Sequence, residues 1–433
     1  MKTLSKKDFL NNSFLIYGAG KSGLSTLKFL NKDKVDLFDD NKLSLKNFRK
    51  KAISKKKILK KEYDYIILSP GIDKKKCSLK SFLKKNEKKI ITDLDIFYLF
   101  NKKNISITIT GTNGKSTVSK LIFDIIKKEK KDVRLVGNFG LPILSESKIS
   151  LKTIFVIEAS SYQLEYSKFF RSKFNLILNI STDHLERHGN LNNYINAKLK
   201  IFKNTSSKDY GFIDDDKKIL KRISKFKNNF ICKIIKKKSF YDRISKVSNP
   251  YFKTQGSHQN LAFIFKLFNY FKVKKVNILK VINNFRGLKF RQQIIFKKNN
   301  LVIINDSKAT SFSSSEDIIK QYKNIFWVVG GIPKKGDRFL LNKNYYKFLN
   351  AYIYGNNLNF FKNQFRKKIS YQTFHNLDKA TKKALIDIKK NKYTKNKTLL
   401  FSPSAASFDM FKNFEVRGEK FNNIIKRSRK NLI

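Results

Sequence analysis

The sequence predicts an α/β protein with parallel sheets in three domains. Short apolar runs alternate with longer helical patterns along the whole chain, which is typical of strands that helices cover on both faces. The runs are Phe14–Tyr17, Tyr65–Leu68, 105–109, 154–157, 176–179, 301–304, 325–329 and 398–401. The 433 residues suit two to four domains at roughly 100–200 residues each. Motif spacing places boundaries near Asp93 and Arg286, which gives domains 1–93, 94–286 and 287–433.

A glycine pattern follows the first predicted strand. The segment GAGKSG at residues 18–23 comes directly after that strand and would open a helix. Its glycines let the backbone approach a pyrophosphate, and the helix N-terminus favours negative charge. The pattern predicts a Rossmann-like first domain that binds a dinucleotide or a UDP-sugar, or else no more than a tight strand–helix turn. Later strand ends add Asp39, Ser69 and Gly71 as residues that could face the same ligand.

A second nucleotide pattern, TGTNGKST at residues 110–117, follows the run at 105–109. Backbone amides of such a loop cradle phosphates, Lys115 reaches the β- and γ-phosphate oxygens, and the Ser116 hydroxyl binds Mg²⁺. Ile109 stands where the usual P-loop has its first glycine, so this loop is a variant. Glu158 ends a later buried strand, where a carboxylate suits a Mg²⁺ that bridges phosphates. The sequence thus predicts ATP and Mg²⁺ on a central P-loop ATPase-type parallel sheet.

Several later segments, together with this loop, make the chain resemble the Mur ligases of bacterial cell-wall synthesis. They are VGNFG at 136–140, EASSYQLE at 158–165, LNISTDHLERH at 178–188, AKL at 197–199, NDSKAT at 305–310 and SPSAASFDMFKNFEVRG at 402–418. The similarity covers essentially the whole chain and is to the branch that adds D-glutamate to UDP-N-acetylmuramoyl-L-alanine. It implies a Rossmann-like third domain, an acyl-phosphate intermediate, and UDP-N-acetylmuramoyl-L-alanine, D-glutamate and ATP as substrates.

The resemblance also implies the roles of individual residues. The implied catalytic residues are Lys115, His184 and Lys198, with Lys198 carbamylated so that it can bind a metal. The implied metal ligands are Ser116, Glu158, His184 and Lys198. The implied ATP contacts are Gly111, Thr112, Asn113, Gly114, Lys115, Ser116, Thr117, Asn260, Arg291 and Asp306. The implied substrate contacts are Ser22, Asp39, Ser69, Gly71, Asn138, Ser160, Gln163, Lys308, Thr310, Lys334, Ser407 and Phe414.

Two positions depart from the family pattern, and one choice stays open. The segment GSHQN at 256–260 matches the family's HNxxN only after a shift, so Asn260 is a candidate adenine contact. Phe290 stands where the family's GLPHR motif has histidine. Lys335 competes with Lys334 for the D-glutamate side chain, because the loop at 332–336 can slide by one residue. Neither departure touches the phosphate loop or the metal ligands.

The formal net charge of +61 would by itself favour a nucleic-acid-binding protein. Lysines occur in nearly every segment and not in one stripe, so we interpret the charge as solvated surface and expect no nucleic-acid partner. A basic P-loop motor would leave the segments 183–184, 305–308 and 402–414 unexplained. A non-catalytic UDP-sugar-binding protein would not need Lys115, Glu158 and His184 together.

Other ligases of the same class are the nearest alternatives. A diaminopimelate-adding Mur ligase should carry a DNPR motif, which this sequence lacks, and a folate ligase would not be expected to carry the N-terminal glycine pattern. Cys77 and Cys232 are far apart, which excludes a disulfide framework and a cysteine zinc site. No apolar run approaches the roughly 20 residues of a membrane helix. We expect a cytoplasmic monomer with no membrane partner.

Overall fold

The computed structural model describes residues 6–31, 34–224, 230–253, 255–298, 300–391 and 396–428. The chain divides into two compact units. Unit 1 comprises Met1–Ile180, Asn192–Lys246 and Gln259–Ile282, and unit 2 comprises Ser181–Leu191, Val247–His258 and Asn283–Ile433. The predicted α/β class with parallel sheets is confirmed. The domain boundaries near Asp93 and Arg286 remain predictions.

Unit 1 contains two parallel sheets. The first has the strand order β2-β1-β3-β4, with β1 Phe14–Tyr17, β2 Val35–Phe38, β3 Tyr65–Leu68 and β4 Ile90–Ile91. The second has the order β10-β9-β8-β5-β7-β6, with β5 Ser106–Thr110, β6 Val133–Gly137, β7 Ile154–Glu158, β8 Phe174–Ile177, β9 Tyr210–Asp214 and β10 Ile231–Ile235. The carboxyl ends of β5, β7 and β8 therefore meet at one edge of the second sheet.

Unit 2 contains a sheet with the order β11-β12-β16-β13-β14-β15. Its strands are β11 Gln293–Lys298, β12 Leu301–Asn305, β13 Ile325–Gly330, β14 Leu349–Tyr354, β15 Ser370–Phe374 and β16 Lys397–Phe401. The pairing of β11 with β12 is antiparallel, whereas β12, β13, β14, β15 and β16 pair in parallel. Trp327, the single tryptophan of the chain, is fully buried between this sheet and its helices.

Helices cover the sheets. In chain order they are α1 Lys6–Leu10, α2 Lys21–Leu30, α3 Lys55–Ile58, α4 Lys80–Lys85, α5 Asp93–Phe100, α6 Lys115–Lys128, α7 Ser161–Tyr166, α8 Leu185–His188, α9 Leu191–Leu199, α10 Lys217–Ile223, α11 Tyr241–Ile244, α12 Gln255–Phe268, α13 Lys275–Asn283, α14 Phe312–Ile319, α15 Leu358–Phe365, α16 Leu377–Lys390 and α17 Phe414–Ser428. Within the described part of the chain, none of these helices has the length and hydropathy needed to cross a membrane.

The helix α6 shows how sequence pattern positions the phosphate loop. Its buried apolar residues follow a spacing of three and four, namely Val118, Leu121, Ile122, Ile125 and Ile126. That spacing makes one apolar stripe, which packs on β5, β6 and β7. Full burial of each such side chain stabilises the fold by about 1.5–3 kcal/mol, so the start of α6 is held firmly at the carboxyl end of β5.

Candidate active site

The loop between β5 and α6 depends on two glycines. Gly111 and Gly114 adopt φ values of +150° and +83°, which L side chains rarely adopt. A Cβ at Gly114 would lie 2.6 Å from the amide nitrogen of Asn260, so this side chain packs directly against the loop. The structure therefore places Asn260 beside the phosphate loop, and its contact with adenine stays a prediction.

Lys115 bends back over this loop. Its ammonium donates hydrogen bonds to the carbonyl oxygens of Gly111 at 2.8 Å and Thr112 at 2.7 Å. Asn179, just after β8, clamps the loop from the other side: it accepts from the Asn113 amide at 2.8 Å and donates to the Asn113 carbonyl at 3.0 Å. We had not predicted a role for Asn179, although it belongs to a segment that carries the family resemblance. The clamp preorganises the backbone amides before a phosphate binds.

Ser116 and Glu158 form a buried oxygen pair at the same sheet edge. They are 2% and 1% exposed, and the Ser116 hydroxyl donates to Glu158 Oε2 at 2.5 Å. Asn138 donates to the other carboxylate oxygen at 2.6 Å. The described residues include no group of three His, Cys, Asp or Glu arranged for a metal ion. A hard carboxylate beside a hydroxyl fits Mg²⁺ nonetheless, because Mg²⁺ takes few protein ligands and completes its shell with phosphate and water oxygens.

Lys198 lies beneath the loop and is only 2% exposed. Its ammonium donates to the Gly111 carbonyl at 2.8 Å and lies 4.6 Å from the ring centre of Tyr194. The Tyr194 hydroxyl is hydrogen-bonded to the Thr112 hydroxyl at 3.1 Å. Thr117, in the first turn of α6, is partly buried. Lys198 is thus one of the few lysines of this basic chain that the fold withdraws from water.

The predicted substrate contacts Ser160 and Gln163 have a local structural role. They form a capping box at the start of α7, in which the Ser160 hydroxyl accepts from the Gln163 amide at 3.2 Å and Gln163 Oε1 accepts from the Ser160 amide at 3.0 Å. Such reciprocal bonds satisfy two backbone donors at a helix start. Their capping role does not require a ligand.

The glycine turn after β1 is tightly built. A Cβ at Gly23 would lie 1.8 Å from the Gly18 carbonyl oxygen, and the Ser69 hydroxyl donates to that same oxygen at 2.9 Å. Asp39 accepts from the amide of Ala19 at 2.7 Å, so this carboxylate holds the turn. The remaining predicted contacts of this domain, Ser22 at the start of α2 and the exposed Gly71 after β3, lie at the same carboxyl edge of the first sheet.

In unit 2, His184 lies between two carboxylates. Its Nε2 is 3.4 Å from Asp183 and its Nδ1 is 3.4 Å from Glu186. The hydrogen bond between the His184 ring and the Glu186 carboxylate is the main cause of the lowered pKa of Glu186. The φ of His184 is +54°, a strained backbone conformation of the kind that often occurs at functional sites. Lys198, another predicted metal ligand, belongs to unit 1, whereas His184 belongs to unit 2.

Asp183 also forms a salt bridge with Lys334, and these side chains are 10% and 13% exposed. Lys335, by contrast, is exposed. Asp337 accepts from the amide of Phe312 at 2.9 Å, and burial raises the pKa of Asp337 to about 6. Only Lys334 is therefore directed into this semi-buried group of charges, which favours it over Lys335.

Asp306 lies directly after β12 and is 5% exposed. It accepts from the Gln292 amide at 3.0 Å and from the Ser402 hydroxyl at 3.0 Å. Burial raises its pKa to about 7, and the charges of Arg291 and Arg417 act in the opposite direction. The predicted ATP contacts Asp306 and Arg291 are thus brought together in unit 2.

The loops after β12 and β16 carry the predicted amino-acid contacts. The Lys308 ammonium lies 4.0 Å from the ring centre of Phe414. Ser407 is buried, and Thr310 is partly buried. The buried Arg417 joins the two loops, because it donates to the carbonyl oxygens of Ser307 at 2.7 Å and Ala405 at 2.9 Å. We had not predicted this role for Arg417, whose only signal was its place inside a segment that resembles the family.

The sequence is similar to those of known proteins. A family model described as "Mur ligase middle domain" matches residues 109–281. The UDP-N-acetylmuramoylalanine–D-glutamate ligase of Rickettsia felis is 34% identical and covers 95% of this chain and 96% of its own. The ligase of the same name from Caldicellulosiruptor bescii is 29% identical, with 96% and 98% covered.

Solved structures support the fold. The UDP-N-acetylmuramate–alanine ligase MurC of Thermotoga maritima superposes with a TM-score of 0.55 at 14% identity and covers 97% of this chain and 100% of its own. MurF of Acinetobacter baumannii gives a TM-score of 0.58 at 16% identity, with 76% and 79% covered. The chain therefore belongs to the Mur ligase family of ATP-dependent ligases. Within that family, its similarity to the D-glutamate ligases extends over nearly the full length, which confirms the branch predicted from the motifs.

Proposed function

We propose that this enzyme joins D-glutamate to UDP-N-acetylmuramoyl-L-alanine at the expense of ATP. The observation that carries the proposal is the edge of the second sheet, where Lys115 and the buried Ser116–Glu158 pair lie at the start of α6. The names of the full-length relatives support the choice of substrates. The product is a peptidoglycan precursor.

The reaction proceeds in two steps. A carboxylate oxygen of UDP-N-acetylmuramoyl-L-alanine attacks the γ-phosphorus, the bond to the β-γ bridging oxygen breaks, and ADP leaves with an acyl-phosphate formed. The amine of D-glutamate then attacks the acyl carbon, loses a proton, and expels inorganic phosphate. Lys115 offsets the negative charge of the transferring phosphoryl group, and the preorganised loop amides do the same without reorganisation. Lys115 must exchange its two carbonyl partners for phosphate oxygens when ATP binds.

Mg²⁺ would be held by Glu158 and the Ser116 hydroxyl together with phosphate oxygens. When bound, it supplies charge neutralisation across the β- and γ-phosphates. Lys198 and His184 are the further metal ligands that we propose. Lys198 is buried beneath the phosphate loop, and we propose that it is carbamylated so that it can bind a metal.

The first sheet supplies the proposed site for the UDP group. Gly18 and Gly23 let the start of α2 approach a diphosphate, which the helix N-terminus favours electrostatically. Asp39 accepts hydrogen bonds from backbone amides and so stabilises the turn that forms the site. Contact with the ribose is an additional proposed role of Asp39. Ser22, Ser69 and Gly71 are the remaining proposed contacts at this edge.

Unit 2 supplies the proposed D-glutamate site. Lys334 now pairs with Asp183, and the side-chain carboxylate of D-glutamate would replace Asp183 as its partner. Ser407, Lys308 and Thr310 offer polar groups for the second carboxylate, and the Phe414 ring closes that side. Asp306, Arg291 and Asn260 are the proposed contacts to the ribose and base of ATP.

Phosphate release with UDP-N-acetylmuramoyl-L-alanine and ATP tests the proposal. D-glutamate, L-glutamate, L-lysine and diaminopimelate are supplied in turn, and we expect release only with D-glutamate. Lys115→Ala should lower the rate by about a hundredfold or more, as is usual for loss of a transition-state charge contact. Lys120→Ala on the same helix, which removes a lysine paired with Asp124, should stay near wild type. Release with another amino acid, or release stimulated only by single-stranded nucleic acid, would overturn the proposal.

A further inference from the structure

A cavity of about 540 Å³ lies in unit 1 at the amino edge of the second sheet. Its lining includes Ser106 and Phe174, the first residues of β5 and β8, and Asp209, which precedes β9. The phosphate loop follows the opposite end of β5, and five strand residues span roughly 16 Å. The cavity is therefore separate from the ATP loop. Parallel α/β sheets bind their ligands at the carboxyl edge, so the fold itself assigns this cavity no role.

The cavity is strongly cationic. Seven of its 18 described lining residues are lysine or arginine, compared with 94 among 433 in the whole chain, so cations are enriched there. Asp209 is the one carboxylate among the described lining residues, and Arg171 binds it with Nε 2.6 Å from Oδ2. That pair offsets its own charges. The positive charge that remains comes from Lys102, Lys103, Lys131, Lys173, Lys208 and Lys272.

Aromatic rings form another part of the lining, and neighbouring rings hold them in place. Phe174 stacks on Tyr210 with ring centres 5.2 Å apart and an angle of 14° between planes. Tyr270 lies 4.5 Å from Tyr210, and Phe271 lies 5.2 Å from Phe174. The Lys102 ammonium lies 6.0 Å from the centre of the Tyr98 ring. Rings already fixed by packing present a face to a planar ligand at little entropic cost, and base–aromatic stacking tolerates any base.

We propose that this cavity is a second, non-catalytic ligand site for a nucleoside monophosphate. The lysines attract the phosphate dianion, and the rings of Tyr98, Tyr270 and Phe271 face the base. Pockets for small ligands measure roughly 300–1,000 Å³, so the volume suits a single nucleotide. The proposal goes beyond the ligase reaction and uses none of its residues.

Equilibrium dialysis of the full chain with labelled AMP tests this site. AMP lacks the β- and γ-phosphates that Lys115 is placed to bind. Lys102→Glu combined with Lys173→Glu should weaken AMP binding by about tenfold or more, because two charge-assisted contacts are lost. Lys217→Glu combined with Lys221→Glu on α10 makes the same change in charge away from the cavity and should leave the affinity as in wild type. The milder pair Lys102→Gln and Lys173→Gln should weaken binding in the same direction.

Three further measurements decide the outcome. Adenosine and ribose 5-phosphate should each bind more weakly than AMP, because each lacks one half of the ligand. The cavity variants should keep the wild-type circular dichroism spectrum, which shows that they are folded, and Lys115→Ala should keep AMP binding at the cavity. Failure of the ligase proposal therefore leaves this test intact. Equal AMP affinity in the cavity and control variants, or equal affinity for AMP and ribose 5-phosphate, would overturn the site.

Discussion

The buried carboxyl of Asp306 makes the stability of unit 2 depend on pH. The substitution Asp306→Asn should remove this pH dependence. Asp306 is 5% exposed and accepts hydrogen bonds from the Gln292 amide and the Ser402 hydroxyl. Burial raises its pKa from 3.8 to about 7. Asp306→Asn keeps the size of the side chain and a carbonyl oxygen acceptor, but it has no proton to lose.

The sign follows from the raised pKa. The folded state keeps the proton to higher pH than the unfolded state does, so the stabilisation is fully present below about pH 4 and is lost as the pH rises through about 7. A pKa difference of one between the folded and unfolded states corresponds to about 1.4 kcal/mol of unfolding free energy. Between pH 5 and pH 8, the wild-type protein should lose about 2–3 kcal/mol of unfolding free energy through this group. The Asp306→Asn variant should not show that loss, so its stability relative to the wild-type protein should increase as the pH rises.

Urea unfolding followed by tryptophan fluorescence measures this difference. Trp327 is the single tryptophan of the chain and lies in the core of unit 2, where its indole donates to the Ser402 carbonyl at 2.7 Å. Its signal therefore reports the unit that contains Asp306. Asp378→Asn is the control, because Asp378 lies partly exposed on α16 and pairs with Lys420. If the difference between wild type and Asp306→Asn does not change between pH 5 and pH 8, the carboxyl is ionised in the fold and the reasoning fails.

Three further substitutions test the other parts of the site. Glu158→Gln should raise the Mg²⁺ concentration for half-maximal phosphate release by about tenfold or more, since a charged ligand is lost; an unchanged Mg²⁺ requirement would exclude Glu158 as a ligand. Gly23→Ala should destabilise unit 1 by about 1–3 kcal/mol in urea unfolding followed by circular dichroism, as overpacking does, whereas Gly20→Ala, with open space at its Cβ, should not. Lys334→Gln should raise the KM for D-glutamate by about tenfold, whereas Lys335→Gln should stay near wild type; the reverse order would move the contact by one residue.

Contiguous motifs were predictable because their geometry is local. The strand, two glycines and helix start of the phosphate loop follow one another in sequence, so the pattern places Lys115 and Ser116 without knowledge of the rest. The predicted strand at 176–179 shows the limit. The observed β8 is Phe174–Ile177. Asn179 lies beyond it and clamps Asn113 with its side chain, a contact that cannot be inferred from apolar periodicity.

Contacts between distant segments were less predictable. The apolar runs suggested parallel sheets throughout, yet β11 pairs antiparallel with β12 at a sheet edge, where one face of the strand meets solvent and the continuous apolar pattern fails. The S-x-x-Q spacing of Ser160 and Gln163 is typical of a capping box, whereas the family resemblance implies substrate contacts for the same two residues. Arg417 could not be found from composition, because charged residues are rarely buried unless they are paired.

Three lysines with predicted roles have oxygen partners within the fold. Lys115 is half-buried over loop carbonyls, Lys198 is almost fully buried against the Gly111 carbonyl, and Lys334 is held by Asp183. Removing a cation from water costs several kcal/mol unless oxygen atoms replace its hydration, and these carbonyl and carboxylate oxygens contribute to that replacement. We expect an incoming phosphate or carboxylate to exchange with these oxygens at Lys115 and Lys334. The proposed binding of ATP and D-glutamate therefore requires that contacts within the fold at Lys115 and Lys334 are broken.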